Sequence, residues 1–184
     1  MPNDEETMDG LLRAYGRDIL HFIRFYTKNN NEAEDLTQEV FIRAYKNIAA
    51  FRSDCDAKTW LLKIAVNVCR NFARWQQRHP AFPVDIFPIT LISPSAESEV
   101  LRRSDEMSIA YQVQELPVKL KEVVLLHYFE DKSINEIAKM LGILEGAVKV
   151  RLFRARKLLK QREEGLAHEE RSDQRQLKKL APHR

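Results

Sequence analysis

The sequence predicts an all-α protein of two small helical domains joined by a flexible linker. Apolar residues recur every three or four positions through most of the chain, which is the period of amphipathic helices, and no stretch reads convincingly as a strand. The chain has 184 residues, of which 44% are hydrophobic, and this composition is typical of one globular domain or two small ones. Four prolines in the middle stretch HPAFPVDIFPITLISPSAES interrupt the helical pattern and divide the chain in two.

Three helices are expected in the first domain, which we place at 8–79. The apolar residues within each have helical spacing, and polar or loop-like sequence separates the helices at 28–31 and 51–57. The predicted helices cover 8–26, about 32–48 and about 58–78.

Residues 80–110 form the predicted linker to a second domain at 111–161. The proline-rich stretch could instead be a long ordered loop within one domain, because its isoleucines and phenylalanines could pack locally. Helical pattern resumes near residue 97 and continues to residue 114. Pro117 then suits the first turn of the next helix, which we place at 118–129.

Two more helices complete the second domain. Ser133 and Glu136 have the S-x-x-E spacing of a capping box, which opens a helix that stops at Gly142. The last long helix starts near Glu145. Mixed charge with little apolar period follows, so the tail at 162–184 is expected to be frayed or disordered.

Several classes of protein are disfavoured. Cys55 and Cys69 form no CxxC pair and have no histidine at ligand spacing, so we expect no metal site and no cofactor. The acidic N-terminus is not a signal peptide, and no apolar run approaches the roughly 20 residues that span a bilayer. The histidines are scattered, and no glycine-rich phosphate loop or nucleophile motif is present, so we do not expect an enzyme. A soluble, reduced, cytoplasmic protein is the expectation.

Charge is unevenly distributed along the chain, although the net charge is only +3. Residues 1–50 carry nine acids against six bases, whereas 57–84 and 146–162 contain no acid at all. An acidic front is therefore followed by two cationic blocks, which favours an anionic partner for the later blocks.

The second cationic block lies in a predicted helix-turn-helix at 133–156. The small Ala138 allows close approach of the second helix, and Gly142 permits the tight turn. Val148, Leu152, Ala155 and Leu159 form the buried stripe, so the cations project elsewhere: Lys149, Arg151, Arg154 and Arg156. Insertion of this helix into the DNA major groove would neutralise them with phosphates.

The alternative interpretation of this segment is that its cations form the solvated face of an ordinary amphipathic helix without a DNA-binding role. One detail also departs from a good DNA-binding helix. Leu144 occupies the N-cap position, where leucine cannot accept a hydrogen bond from the first-turn amides, and Ala147 removes a possible hydroxyl contact.

The second helix of the first domain presents a mixed outer face. Leu36, Val40, Ala44 and Ile48 fall on the core side. The opposite side combines carboxylates with an isoleucine and a tyrosine: Asp35, Gln38, Glu39, Ile42, Tyr45 and Lys46. This face is either a protein-binding surface or a set of scattered surface apolar residues, and the spacing does not distinguish the two.

The third helix has a cationic outer face. Its expected core stripe is Leu61, Ile64, Ala65, Val68, Phe72 and Trp75. The opposite side gathers Trp60, Lys63, Asn67, Arg70, Asn71 and Arg74. Cations, amides and an indole together suit nucleic acid, although Trp60 could equally be partly buried beneath the preceding loop.

Three of these segments, in this order, resemble the extracytoplasmic-function (ECF) sigma factors of bacterial RNA polymerase. AEDLTQEVFIRAY is similar to the polymerase-binding helix of sigma region 2, and FRSDCDAKTWLLKIAVNVCRNFARWQQR to the segment that reads and opens the −10 element. The stretch LPVKLKEVVLLHYFEDKSINEIAKMLGILEGAVKVRLFRARKLL is similar to region 4, which reads the −35 element. The resemblance covers about 8–160 and implies a region 2 bundle linked to a region 4 helix-turn-helix.

The resemblance also implies roles for individual residues. Core RNA polymerase would bind Asp35, Gln38, Glu39, Ile42, Arg43 and Lys46. The −10 element would contact Lys58, Thr59, Trp60, Lys63, Asn67, Arg70, Asn71 and Arg74, with capture of a flipped base. The −35 element would contact Glu145, Gly146, Lys149, Val150, Arg151, Arg154 and Arg156. The implied partners of this monomer are core polymerase, promoter DNA and an anti-sigma factor, expected to be membrane-anchored.

Departures from the family pattern weaken some of these roles. Leu144 and Ala147 stand where the family usually has Ser and Thr, and the two aspartates of SDCDA would repel phosphates if they faced DNA. A conventional DNA-binding regulator is the rival interpretation. It would need a dimer interface or ligand pocket, and the sequence shows no clear one.

Overall fold

The computed structural model describes residues 4–27, 29–48, 51, 56–79 and 109–180. Within these ranges, side chains are described from residue 7 to residue 163. Every regular element in these ranges is helical, which confirms the all-α prediction. Most of the predicted linker, Cys55 and the last four residues of the tail lie outside the described residues.

The described helices are α1 Asp4–Arg24, α2 Asn30–Asn47, α3 Ala57–Arg78, α4 at 109–114, α5 Val118–Val124, α6 Ile134–Leu141 and α7 Glu145–Leu180. α5 continues directly into a π-helical turn, Leu125–Phe129. The segment predicted as one helix at 118–129 is therefore helical throughout, with its second half wound more widely.

α1, α2 and α3 form the first domain around a hydrophobic core. Ile19, Ile23, Val40, Leu61 and Leu62 are completely buried in it. Both later helices begin at a side-chain cap. The Asn29 side chain accepts a hydrogen bond from Glu32 N at 2.8 Å, and Asp56 accepts one from Thr59 N at 2.9 Å. Such caps satisfy first-turn amides that have no partner within the helix.

The second domain packs α5, α6 and the first half of α7 around Val123, Leu125, Ile137 and Val148. The predicted capping box of α6 is confirmed. Ser133 N donates to Glu136 Oε2 at 2.9 Å, and Glu136 N donates to Ser133 Oγ at 3.3 Å. These reciprocal bonds fix where the helix-turn-helix begins.

The tail differs from its prediction, because α7 continues to Leu180. The expectation of a frayed or disordered segment was wrong over 162–180. This stretch is rich in Glu, Arg, Lys, Gln, Leu and Ala, which are strong helix formers, and contains no proline. Intrinsic propensity therefore extends the helix even though the apolar period has ended.

The two domains contact each other directly. The C-terminal end of α1 and the outer side of α3 pack against α4, α5 and the π-helical turn. We call this contact the domain seam. It brings one face of α3 next to the second domain, which bears on the site described below.

Neither a membrane-spanning helix nor a metal cluster occurs among the described residues. No helix there combines the length and hydropathy that crossing a bilayer requires. No three His, Cys, Asp or Glu side chains of those ranges are placed to hold a metal ion. Cys69 is completely buried in the first domain, and this burial raises the pKa of its thiol.

Candidate nucleic-acid interface

α6, a tight turn and α7 form the helix-turn-helix that the sequence predicts. Gly142 ends α6 in the left-handed region, with φ 64° and ψ 41°, a conformation that favours glycine. Ile143 N donates to Ala138 O at 3.0 Å and closes the turn. Asn135 Nδ2 then donates to Glu145 Oε1 at 2.7 Å, which ties the start of α7 to α6.

The first half of α7 separates a buried stripe from a cationic face. Val148, Leu152 and Ala155 are buried, as predicted. Most of the predicted −35 residues are exposed: Glu145, Gly146, Lys149, Val150, Arg154 and Arg156. Because one rigid helix carries them, they form a convex cationic ridge of a shape that fits a major groove.

Arg151 does not lie on this ridge. It is half-buried, and its Nη1 donates to Glu122 Oε1 at 2.8 Å. Sequence reasoning placed it with the other cations because its partner lies on α5, 29 residues away. The structure therefore gives this arginine a positioning contact within the second domain.

Phe153 belongs to the exposed face, and sequence reasoning missed it. Its side chain is 64% exposed next to Arg154. The available signal was its position off the buried stripe, because an aromatic ring beside a cation on a polar face is suited to apolar contact with a base.

Leu144 precedes α7 without any capping side chain of its own. It is 82% exposed, and only its carbonyl is engaged, accepting from Ala147 N at 2.9 Å and from Val148 N at 3.2 Å. This arrangement agrees with the sequence-based concern that leucine fills the N-cap position without capping.

α3 presents the second cationic face. Lys63, Asn67, Asn71 and Arg74 are exposed along it. Arg74 Nη2 donates to Asn71 Oδ1 at 2.7 Å, which orients the guanidinium beside the amide. These four predicted −10 residues form a contiguous polar face that is open to a nucleic acid.

The other four predicted −10 residues are already engaged. Thr59 is buried, and its hydroxyl donates to the Asp56 carboxylate at 2.5 Å, so it serves the helix cap. Trp60 is half-buried and packs on Phe51 with 4.8 Å between ring centroids, which favours the alternative that this indole is partly buried.

Lys58 and Arg70 both pair with carboxylates. Lys58 Nζ lies 2.8 Å from Asp18 Oδ2 and 2.9 Å from Glu130 Oε2. Partial burial opposes the charge of this lysine, but hydrogen bonds to these carboxylates raise its pKa above the usual value. Arg70 binds Glu122, and that hydrogen bond raises the pKa of the guanidinium.

Trp75 was predicted to lie in the core, and this was wrong. Its side chain is 53% exposed and stacks between Phe72 and His79, at centroid distances of 6.2 Å and 5.1 Å. α3 extends past the helices that cover its first half, so the apolar period continues where no core remains. The exposed indole lies beside Arg74 and adds an aromatic surface to the cationic face.

The outer face of α2 has the mixed character that the sequence predicts. Asp35, Gln38 and Lys46 are exposed, and Ile42 and Tyr45 are each 48% exposed. Glu39 and Arg43 are partly exposed and pair with each other, with 2.6 Å between Oε1 and Nε. Apolar side chains thus stand among charges on a rigid helix.

Two basic helix faces on separate domains, one of them in a helix-turn-helix, define a DNA-binding protein. Two family models match the chain: Sigma-70 region 2 over residues 11–79 and Sigma-70 region 4 over residues 106–159. The chain belongs to the ECF family of RNA polymerase sigma factors.

Curated relatives agree with this assignment. The RNA polymerase sigma-H factor of Pseudomonas aeruginosa is 32% identical over 85% of this chain and 86% of that protein. The ECF RNA polymerase sigma factor SigM of Bacillus subtilis is 30% identical over 84% of this chain and 93% of that protein.

Solved structures show the same fold. CnrH, determined in complex with the cytosolic domain of CnrY, has a TM-score of 0.63 at 21% identity, covering 89% of this chain and 91% of CnrH. RpoE of Bartonella quintana, determined with the anti-sigma factor NepR, has a TM-score of 0.64 at 22% identity, covering 85% of this chain and 96% of RpoE.

Proposed function

We propose that this sigma factor directs core RNA polymerase to promoters by reading the −35 element with α7 and the −10 element with α3. The observation that carries the proposal is the presence of two exposed cationic helix faces, one on each domain. Two separate faces suit two separated stretches of one duplex, whereas a single-site regulator needs only one.

The −35 contact is assigned to the α7 ridge. Lys149, Arg154 and Arg156 supply positive charge for phosphates and for guanine edges, and Phe153 and Val150 supply apolar surface for thymine methyl groups. Arg151 supports the ridge through Glu122. Charge neutralisation makes this contact dependent on salt concentration.

The −10 contact is assigned to the open part of α3. Lys63 and Arg74 hold the backbone, and the amides of Asn67 and Asn71 are placed to read bases. The exposed indole of Trp75 offers a stacking surface for an unpaired base at the end of the same helix.

Polymerase binding is assigned to the outer face of α2, around Asp35, Glu39 and Ile42. A face of mixed charge with partly exposed apolar side chains has the composition of a protein-binding surface, and it lies on a helix that contributes no cationic face.

Regulation by an anti-sigma factor, expected to be membrane-anchored, completes the proposal. RpoE of Bartonella quintana, which shares this fold, was determined in complex with the anti-sigma factor NepR. We further propose that the protein acts in the cytoplasm as a monomer, without a cofactor and without a catalytic activity of its own.

Run-off transcription tests this function. Purified chain is added to core RNA polymerase, and initiation is measured across a library of genomic promoters. The expected result is initiation at a defined subset of promoters that depends on the chain. Initiation that is the same with the chain omitted would contradict the proposal.

A further inference from the structure

Glu122 binds one arginine from α3 and one from α7. This carboxylate on α5 is completely buried. Its Oε2 accepts from Arg70 Nε at 2.7 Å, and its Oε1 accepts from Arg70 Nη2 and Arg151 Nη1, both at 2.8 Å. Because this carboxylate accepts hydrogen bonds from both guanidiniums, each arginine has fewer N–H donors left for phosphate.

The end of α1 is also bonded to the second domain. Gln114 Nε2 donates to Arg24 O at 2.9 Å, and Lys121 Nζ donates to Phe25 O at 2.9 Å. These carbonyls belong to the C-terminal end of a helix, where they lack partners within the helix and where a cation is favoured. The second domain therefore caps α1.

Charged side chains continue the seam on its other side. Lys58 Nζ joins Asp18 of the first domain to Glu130 of the second, at 2.8 Å and 2.9 Å. Phe25 and Phe129 pack edge to face with 5.0 Å between ring centroids. Two predicted −10 residues, Lys58 and Arg70, are thus occupied by carboxylates of the second domain.

The seam is polar and imperfectly satisfied. Arg24 Nε and Tyr26 Oη are buried there and make no hydrogen bond with any described residue. Buried polar atoms without partners favour separation, because water would satisfy them. Salt also weakens the partly exposed Lys58–Asp18 pair, whereas the pairs of the buried Glu122 are screened much less. A polar contact between domains has the character of a reversible one.

The seam excludes simultaneous binding of both promoter elements. Arg70 of α3 and Arg151 of α7 bind the same carboxylate, which holds α3 close to α7. The −10 and −35 elements are centred about 25 base pairs apart, which is roughly 85 Å along a duplex at 3.4 Å per step. The two faces must therefore separate before one promoter can be read by both.

We propose that Glu122 is the shared counter-ion of a closed, autoinhibited state, and that separation of the domains releases Arg70 to DNA phosphate. This inference rests on the proposed function. On opening, Arg151 of the same domain stays with Glu122, so the buried carboxylate keeps a partner, while phosphate replaces it on Arg70 as a bidentate ligand. Lys58 is released in the same step.

Glu122→Gln tests the counter-ion, because it keeps the shape of the side chain and removes its charge. Glu115→Gln is the matched control, since it makes the same charge change at an exposed position of the second domain. A second opening variant, Gln114→Ala with Glu130→Gln, also changes the charge by one and leaves Glu122 intact. Circular dichroism of each full-length variant checks that the helices remain.

Two measurements report opening in the free chain. Small-angle scattering gives the radius of gyration, and fluorescence anisotropy gives the affinity for a labelled 30-base-pair duplex of mixed sequence, chosen at about three helical turns. Both opening variants should have a larger radius and bind the duplex at least about threefold more tightly, with a steeper salt dependence as cations are freed. The control should match the parent chain.

A radius and an affinity equal to those of the parent in both opening variants would overturn the closed-state inference. If Glu122→Gln loses its helices, the Gln114→Ala, Glu130→Gln double variant alone tests whether the closed state exists. Run-off transcription by the parent chain separates the two proposals. Activity of the parent with unchanged opening variants rejects only the closed state, whereas inactivity of the parent with core polymerase rejects the function itself.

Discussion

Lys121 Nζ donates a hydrogen bond of 2.9 Å to the carbonyl oxygen of Phe25, just beyond the end of α1. The lysine is buried, and its ammonium also lies 5.2 Å from the centre of the Tyr26 ring. This ammonium, buried between a carbonyl and an aromatic face, connects the two domains. The two bonded residues are 96 positions apart in the sequence.

Lys121→Met should therefore destabilise the protein. The substitution keeps most of the apolar stem but leaves the buried Phe25 carbonyl without this donor, which costs about 1–3 kcal/mol. Urea unfolding followed by circular dichroism measures the free energy of unfolding. Lys119→Met, on the exposed side of the same helix, is the control, and equal losses in both variants would contradict the interpretation.

Ser133→Ala should destabilise the second domain by about 1 kcal/mol at neutral pH, because it removes half of the capping box. The bond from Ser133 lowers the pKa of Glu136 below its usual value of 4.5. A lowered carboxyl pKa contributes stability above the unfolded pKa and loses it as the pH falls further. The difference between parent and variant should thus shrink below pH 4.5.

Thermal unfolding at a series of pH values measures this difference. Lys139→Ala, an exposed change within α6, should alter stability little at any pH. A parent–variant difference that stays constant down to acid pH would show that the Glu136 carboxylate plays no part in the cap.

Leu144→Ser should stabilise α7 by about 1 kcal/mol, because a hydroxyl at this position accepts a hydrogen bond from a first-turn amide. Leu144→Ala is the matched control, since it removes the exposed apolar side chain without supplying an acceptor. Differential scanning calorimetry compares the two. Equal unfolding temperatures for both variants would mean that the loss of the leucine side chain, and not a new cap at the start of α7, accounts for any change in stability.

Arg154→Ala should weaken promoter binding by the reconstituted holoenzyme, because an exposed cation of the α7 ridge is lost. If the guanidinium binds phosphate, the slope of log K against log salt should fall by about one. Arg13→Ala removes another exposed arginine, from α1, and serves as the control. A promoter affinity that is equal in the two variants would remove this arginine from the DNA surface.

Asp35→Lys with Glu39→Lys should abolish binding to core polymerase and leave duplex binding by the free chain intact. The double change reverses two charges on the outer face of α2 without touching its core. Asp9→Lys with Glu115→Lys makes the same total charge change elsewhere on the surface. Co-purification with core polymerase is the measurement, and retention of the first double variant would show that α2 is not the docking helix.

Local chemistry explains what the sequence could predict. The capping box at Ser133 and the turn at Gly142 depend on neighbouring residues, so their outcome could be read from spacing. The buried stripe of α7 was predictable for the same reason. Trp75 was misjudged because helical period shows which face a residue lies on, but not how far along the helix the core reaches.

Contacts across the seam were not predictable in this way. Arg70 and Glu122 are 52 residues apart, and on its own helix Arg70 has the position of a free cation. The same holds for Lys58, whose partner Glu130 follows the π-helical turn. Pairing between domains depends on their relative placement, about which helical period carries no information.

Cys69 has a practical consequence for chemical work on this protein. Its thiol is buried in the first domain, and because burial raises its pKa it stays in the protonated form, with which electrophiles react slowly. Maleimide dyes added to the folded chain should therefore leave this side chain unmodified, so a cysteine introduced on α7 can carry a probe with residue 55 as its one competitor in the sequence.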